Sequence, residues 1–358
     1  MLPVADDAAE ILGDDDICIN STGTGTLGRV ALLSKHERNG PRLVADGHVT
    51  LLRANRNVVE PRFLCYLLST QAFYGLANAC LAVGSTNQME LGRDAIRTLG
   101  ISIPSLQQQR RIVEVLDHEL ERIDQLIQEL AAMLALLGER FAAERGKRFG
   151  SEPGWPLKHL LARPMAYGVL VPRFVERGQG VRMLRIMNLT ERGEIVTDEA
   201  AHIEVALSEE YQRTIVRSGD LILSVVGTMG RSAVVGEEAT GSNLNRPMAR
   251  LQPHPEIPSR LLWHWTKSPQ FMDLARLATG WGTAQPTLNL GDLANFRVGL
   301  PSDKREWPTL LSELEEGAQT LYACEDEIRH QTLLLNEHKQ SMVTAAVTGG
   351  VAAAGRCA

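Results

Sequence analysis

Residues 20–33 read NSTGTGTLGRVALL, and residues 221–236 read LILSVVGTMGRSAVVG. The first stretch holds Gly23-Thr24-Gly25-Thr26-Leu27-Gly28, the G-x-G-x-x-G spacing of a dinucleotide cradle, so taken alone it points to a nucleotide-binding enzyme. That chemistry needs a strand before the glycines and, after them, a helix whose N-terminus faces the pyrophosphate. Asp16 to Asn20 suits the strand, and Asp46 stands near the place of a ribose-binding acid. After Gly28, however, comes RVALLSKHERNGP (29–41), an aliphatic run ending in an Asn-Gly-Pro turn, too short for a crossover helix. No Lys-Ser/Thr follows the glycines, which excludes the P-loop pattern. In the second stretch two residues are absent and Gly23 has no partner, while Gly-Thr-x-Gly-Arg survives. Both stretches therefore predict a tight turn between two strands, with Gly28 and Gly230 where positive φ is wanted and Arg29 and Arg231 just beyond.

The paired turns belong to a longer repeat. GTLGRVALL (25–33) aligns with GTMGRSAVV (227–235) at an offset of 202, and FLCYLLSTQAF (63–73) with LLWHWTKSPQF (261–271) at 198. GSTNQMELGRDAIRTLGISIPS (84–105) matches TGWGTAQPTLNLGDLANFRVGLPS (279–302), pairing Thr86 with Thr283, Gln88 with Gln285, Leu91 with Leu288 and Pro104 with Pro301 at an offset of 197. Repeats of this kind are units of structure. Each copy shows short apolar runs bounded by Gly and Asp, then short helical stretches, so strands lead in a mixed module.

A long helical pattern follows each proline. Leu116, Ile123, Leu130 and Leu137 recur every seven residues, and Val113, Leu120, Ile127, Leu134 and Phe141 fall between them, a sustained a/d heptad. The second helix, about Thr309 to Thr348, keeps Leu314, Leu321, Ile328, Leu335 and Met342. Its other seam is poorer and open between Gly317, Cys324, Gln331, His338 and Ala318, Glu325, Thr332. The narrow first seam predicts that the two helices pair with each other. Between the halves, RGKRFGSEPGWP (145–156) reads as a boundary.

The 358 residues suffice for two or three domains, and 44% hydrophobic content suffices for real cores. The acidic start does not resemble a signal peptide and no uncharged apolar run reaches membrane-spanning length, which predicts a cytoplasmic protein with no membrane contact. Five cysteines without a C-x-x-C pair predict reduced thiols and no metal framework. The net charge of −6 is unevenly spread, because residues 1–16 carry six acids and no base. Residues 155–190 instead hold Lys158, Arg163, Arg173, Arg177, Arg182 and Arg185 against Glu176, a phosphate-seeking local charge of +5. No H-E-x-x-H, G-x-S-x-G or zinc spacing occurs. Trp263-His264-Trp265 reads as packing, and NRPM (245–248) lacks the second proline and aromatic of an adenine methyltransferase loop. The residues describe a binder, with no cofactor or metal called for.

Two similar modules, each followed by a long helix, resemble the DNA-specificity subunit of type I restriction-modification systems. The matching stretches are RMLRIMNLTERGEI (182–195), GDLILSVVGTMGRSAVV (219–235), TAQPTLNLGDLANFRVGLPS (283–302), IPSLQQQRRIVEVLDHELERIDQLI (103–127) and HKQSMVTAAVTGG (338–350). The resemblance implies an α+β fold: two mixed α/β target-recognition domains, each followed by a long helix, the helices pairing as an antiparallel coiled coil. It divides the chain into a first recognition domain (1–104), a first helix (105–148), a second recognition domain (149–302), a second helix (303–350) and a tail (351–358). It further implies a non-catalytic subunit in which each domain reads half of a bipartite target in double-stranded DNA. Helix separation sets the spacer, and the helices dock two methyltransferase subunits, joined by restriction endonuclease/translocase subunits. In the second module, Arg173, Arg177, Arg182 and Arg185 are the expected DNA contacts, with Tyr167, Asn188 and Gln285 as base readers and Arg231 and Arg246 as further candidates. Leu116, Leu120, Ile123, Ile127, Leu130, Leu134, Leu137, Leu314, Leu321, Ile328, Leu335 and Met342 are the expected coiled-coil interface.

One departure stands out. The second module runs from Trp155 before it reaches EEYQRTIVRSGDLI (209–222), whereas the first meets its equivalent, DDAAEILGDDDICI (6–19), almost at once. The first recognition domain is therefore expected to be N-terminally incomplete. Competing readings are a relic that still docks a methyltransferase, an enzyme using the glycine loop, and a coiled-coil interaction protein without DNA specificity.

Overall fold

In the computed structural model, residues 2–3, 12–23, 25–33, 43–77, 82–83, 90–150, 154–279 and 286–354 are described. Contacts divide the chain into two units, Met1–Ala132 with Glu327–Ala358, and Met133–Asp326. Each unit takes a share of both long helices, Leu106–Phe149 and Trp307–Ala354.

In the first unit, Ile17–Asn20 is the centre of an antiparallel sheet between Val30–Leu32 and Val49–Leu52. Alternation decides its faces: Ile17 and Ile19 join Leu27, Leu68, Phe73, Ala77, Leu91 and Ile96 in one core, and Cys18 turns to the other side with Leu12 and Leu33. Two helices cover the first face. Pro61–Leu68 opens with a proline, whose missing N–H costs nothing at a helix start, and Gln71–Leu76 is capped by Thr70, whose hydroxyl accepts from the Phe73 amide. The stretch at residues 20–33 runs from strand to strand. The Asn20 amide donates to the Thr22 carbonyl and to Thr26 Oγ1, Gly28 has φ +80°, and Val30 begins a strand instead of a helix.

The second unit elaborates the same plan. Its sheet runs Ser232–Val234, Leu221–Ser224, Met248–Pro253, Leu161–Tyr167, all antiparallel. Leu221–Ser224 is buried on both faces, Leu221 and Leu223 against one core and Ile222 against another. The helices Ser259–Thr266 and Pro269–Thr279 cover the first face, and there Trp263, Trp265 and Phe271 are fully buried. A smaller sheet, Phe174–Val175, Ala201–Ile203, Val181–Leu184, Asn243–Leu244, completes the unit.

The repeat extends to the backbone hydrogen bonds. Asp15 N–H donates to the Leu33 carbonyl and Gly219 N–H to that of Val235, while Asn20 donates to Arg29 and Ser224 to Arg231. Leu91 donates to Ser21 just as Leu288 donates to Val225. The turn before each central strand matches in detail. Asp16 and Asp220 each accept, at 2.7 Å, from the amide three residues back. The preceding position is left-handed in both, Gly219 at φ +84° and Asp15 at φ +65°. Both carboxylates receive an arginine, Arg53 at 3.1 Å and Arg250 at 2.6 Å. Among the described residues, Met248–Pro253 pairs with a further strand, Leu161–Tyr167, whereas Val49–Leu52 has a single sheet neighbour.

Within each unit the long helices run antiparallel. In the first, Leu116 is buried with Val343 and Val347 beside Val59 and Phe63, and Lys339 pairs with Asp124. In the second, Arg148 pairs with Glu313 at 2.7 Å, and Gly317 gives room to the Phe141 ring. Leu116, Ile123, Leu314 and Ile328 are buried, while Leu120, Ile127, Leu130, Leu134, Leu137, Leu321, Leu335 and Met342 are half-buried. The open seam resolves toward Ala318, which is buried, with Glu325 and Thr332 half-buried; Gln331 and His338 are exposed.

Candidate nucleic-acid interface

The basic segment of the second unit runs from Lys158 onto Leu161–Tyr167, which forms the edge of the larger sheet. At its end Gly168 passes so close to the backbone of Leu244 and Asn245 that a Cβ would collide with both carbonyls. Only glycine permits this approach, and it lets Val169 donate to Leu244 at 2.7 Å while Arg246 donates its backbone N–H to Val169 at 3.0 Å. Tyr167 is thereby set near Asn245 and the exposed Arg246. Its hydroxyl also accepts from the Leu290 amide at 3.2 Å and donates to the Leu288 carbonyl at 3.4 Å. Gly227 in turn donates to the Pro286 carbonyl, and Val226 bridges Thr287. Tyr167, Arg246, the 226–230 turn and the segment starting at Pro286 thus lie together. Gln285, next to Pro286, lies outside the described residues.

The remaining expected contacts divide by what already holds them. Arg177 is exposed in a turn and makes no ion pair among the described residues, and Arg182 is half-buried on Val181–Leu184. Arg173 is exposed but engaged, with Nε 2.7 Å from Glu204 and Nη2 3.6 Å from Glu210; hydrogen bonding to Glu204 raises its pKa further. Arg231 lies 3.4 Å from Glu191, with a buried Nε lacking a partner. Arg185 reaches the Glu199 carbonyl at 3.4 Å, and its Nε is likewise buried and unpartnered. Asn188 is buried: its Oδ1 accepts from the Arg185 amide and its Nδ2 donates to the Val196 carbonyl. Those bonds shape a local turn and leave the amide nothing to present.

Sequence reading missed Arg213, Arg217 and Arg250, which share with Arg163 a groove of about 690 Å³ beside Leu161–Tyr167. Arg163 is 50 residues from Arg213 in the chain, and no local pattern links them.

His264 sits between the two buried tryptophans, its Nε2 3.2 Å from Glu315. Burial, reinforced by Arg145, pushes its pKa down to about 4, so the ring is neutral near pH 7. Arg145 itself lies against Phe141 and Trp263, and burial lowers its pKa to about 10. These groups join Ser259–Thr266 to the second unit's helix pair. Among the described residues, no three His, Cys, Asp or Glu side chains are placed to hold a metal ion, and no helix is long and apolar enough to cross a membrane.

Residues 4–134 match the family model for the type I restriction modification DNA specificity domain. A curated relative, the type I restriction enzyme EcoBI specificity subunit of Escherichia coli, is 29% identical over 196 residues, covering 53% of this chain and 40% of that protein. The chain thus aligns with less than half the length of that relative. A structure described as showing complex assembly and conformational transition of the type I R-M system superposes with a TM-score of 0.67 at 19% identity, covering 94% of this chain and 82% of that one. The HsdS subunit from Thermoanaerobacter tengcongensis does so with a TM-score of 0.51 at 18% identity, covering 95% and 82%. These two likenesses concern the fold.

Proposed function

We infer that this chain is a type I restriction-modification specificity subunit, which recognises double-stranded DNA and leaves catalysis to partner subunits. The observation that carries the reading is the meeting, on one face of the second unit, of Tyr167, Arg246, the 226–230 turn and the chain at Pro286. A guanidinium with no ion pair among the described residues suits phosphates, and the Tyr167 hydroxyl meets a base edge by exchanging its long bond to the Leu288 carbonyl. Arg177 and Arg182 add positive charge that no acid neutralises among the described residues. Gln285 belongs to the same proposal by its place beside Pro286. Arg173, Arg185 and Arg231 act by exchanging their present partners for phosphate, and Asn188 supports the turn that carries Arg185.

The two repeats, 1–104 and 149–302, would each read one half of a bipartite target, and the long helices would receive two methyltransferase subunits, with restriction endonuclease/translocase subunits joining them. Exposed apolar side chains on those helices support docking: Leu126, Leu333 and Leu334 in the first unit, Met133 and Leu136 in the second. The setting is the cytoplasm, where such DNA is accessible.

Co-expression with a type I methyltransferase subunit, followed by mapping of methylated adenines, tests the reading. A bipartite motif is expected; a one-sided or palindromic motif would mean that one module acts alone, and absence of methylation would refute DNA recognition. Arg246→Ala and Arg177→Ala should each weaken binding across sequences and lower the salt slope by about 1, whereas Tyr167→Phe should alter one half-site only.

A further inference from the structure

The groove beside Leu161–Tyr167 is built differently from the face just described. Arg163, Arg213 and Arg217 are exposed around it and make no side-chain ion pair among the described residues, while Glu209 is the one acid in its lining. Beneath them lies Arg250, its side chain 8% exposed. Its Nε donates to Asp220 at 2.6 Å and its Nη1 to the Arg213 carbonyl at 3.2 Å, which fixes the guanidinium plane. The remaining nitrogen, Nη2, is buried and has no partner. An unmet buried charged donor of this kind is destabilising unless a ligand meets it. Gln252, two residues along the same strand, offers a buried Oε1 that also lacks a partner.

We propose that this groove binds a phosphoryl group, with Arg250 Nη2 as its fixed donor and Arg163, Arg213 and Arg217 closing around the remaining oxygens. Four guanidinium groups against Glu209 and the Asp220 carboxylate that Arg250 already holds leave a surplus of two positive charges, which calls for an anion, and the forked donors match phosphoryl oxygens better than a single carboxylate could. The volume of about 690 Å³ admits more than one phosphoryl group. Gln252 Oε1 accepts from a protonated phosphate or a neighbouring hydroxyl, which a free phosphate ester supplies and an internal DNA phosphodiester does not, or from a groove arginine when the ligand brings no donor. The ligand is therefore either a free phosphate ester or, without use of Gln252, the DNA backbone. The site stands whether or not the chain reads sequence.

The full chain is titrated with inorganic pyrophosphate, followed by its thermal transition, and separately with a duplex of random sequence over a range of salt concentrations. Arg213→Ala and Arg217→Ala are the test variants, because both side chains are exposed; their unliganded transitions should match the parent. Pyrophosphate is expected to raise the transition, and each variant to weaken that effect at least about tenfold, the loss of one hydrogen bond to a charged group. Unchanged duplex affinity in the variants, with loss on Gln252→Leu, identifies a free phosphate ester. A duplex salt slope reduced by about 1 per arginine identifies the DNA backbone. Pyrophosphate binding in a chain that binds no duplex refutes the DNA reading and leaves the site intact. No response to pyrophosphate together with an unaltered salt slope overturns the site.

Discussion

Asp220→Ala and Asp16→Ala delete the same carboxylate from the two copies of one turn, yet their costs should differ widely. Each loses the bond from the amide three residues back, 2.7 Å in both. They part at the arginine. The Asp220 and Arg250 side chains are 3% and 8% exposed, so removing Asp220 strands a cation beneath the sheet. Breaking a buried pair from one side costs about 3–5 kcal/mol. The Arg53 side chain is 62% exposed and stays solvated when Asp16 is removed, which leaves a cost of about 1–2 kcal/mol, mainly the turn bond. Hydrogen exchange resolved by peptide reads each unit by itself. Protection across Leu221–Ser224 should fall by roughly two to four orders of magnitude in Asp220→Ala, and across Ile17–Asn20 by about one in Asp16→Ala. The double change Asp220→Ala with Arg250→Met should recover most of the larger loss, because the stranded charge is gone. Equal losses in the two units, or no recovery in the double variant, would refute the account of the buried pair.

His264 gives a pH prediction. Its folded pKa of about 4 lies below the unfolded value of about 6.5, so the stability it contributes is complete above pH 6.5 and is lost as pH falls toward 4. The second unit should lose up to about 3 kcal/mol over that interval, and His264→Gln should remove that part of the slope in urea titrations at stepped pH. Leu116→Ala, at a fully buried seam position, should cost about 2–5 kcal/mol in the first unit, and Leu130→Ala, half-buried, clearly less; thermal denaturation ranks them. Asp15→Gly relieves a left-handed backbone that glycine already serves at position 219. It should gain up to about 1 kcal/mol after losing the exposed Arg56 pair, as judged by the first unit's midpoint.

The repeat and the long helices were legible because both are written in local spacing. Leu116 and Ile123 fall at heptad positions whatever packs on them, and the glycine turn identifies itself by its shorter copy. The poorer seam of the second helix could not be settled from residue types, since Gly317 and Ala318 are both small; burial decides it, with Ala318 buried and Gln331 and His338 exposed. The candidate interface was legible only as composition. Arg173 and Asn188 stand in a basic stretch like their neighbours, but Glu204 and the Val196 carbonyl occupy them, partners whose proximity depends on strand pairing. The arginine groove was hidden for the same reason: Arg163, Arg213, Arg217 and Arg250 meet only once Leu161–Tyr167 lies against Met248–Pro253.

That edge strand has a further consequence. A sheet border with open amides invites another chain to extend it, the route to aggregation and swapping. Here the register slips against Met248–Pro253 between Arg250, Gln252 and Pro253, Pro164 falls at that irregularity, and Arg163 adds an exposed charge beside it. The strand that borders the groove therefore also terminates the sheet, and keeps its rim open to small ligands while refusing a fifth strand.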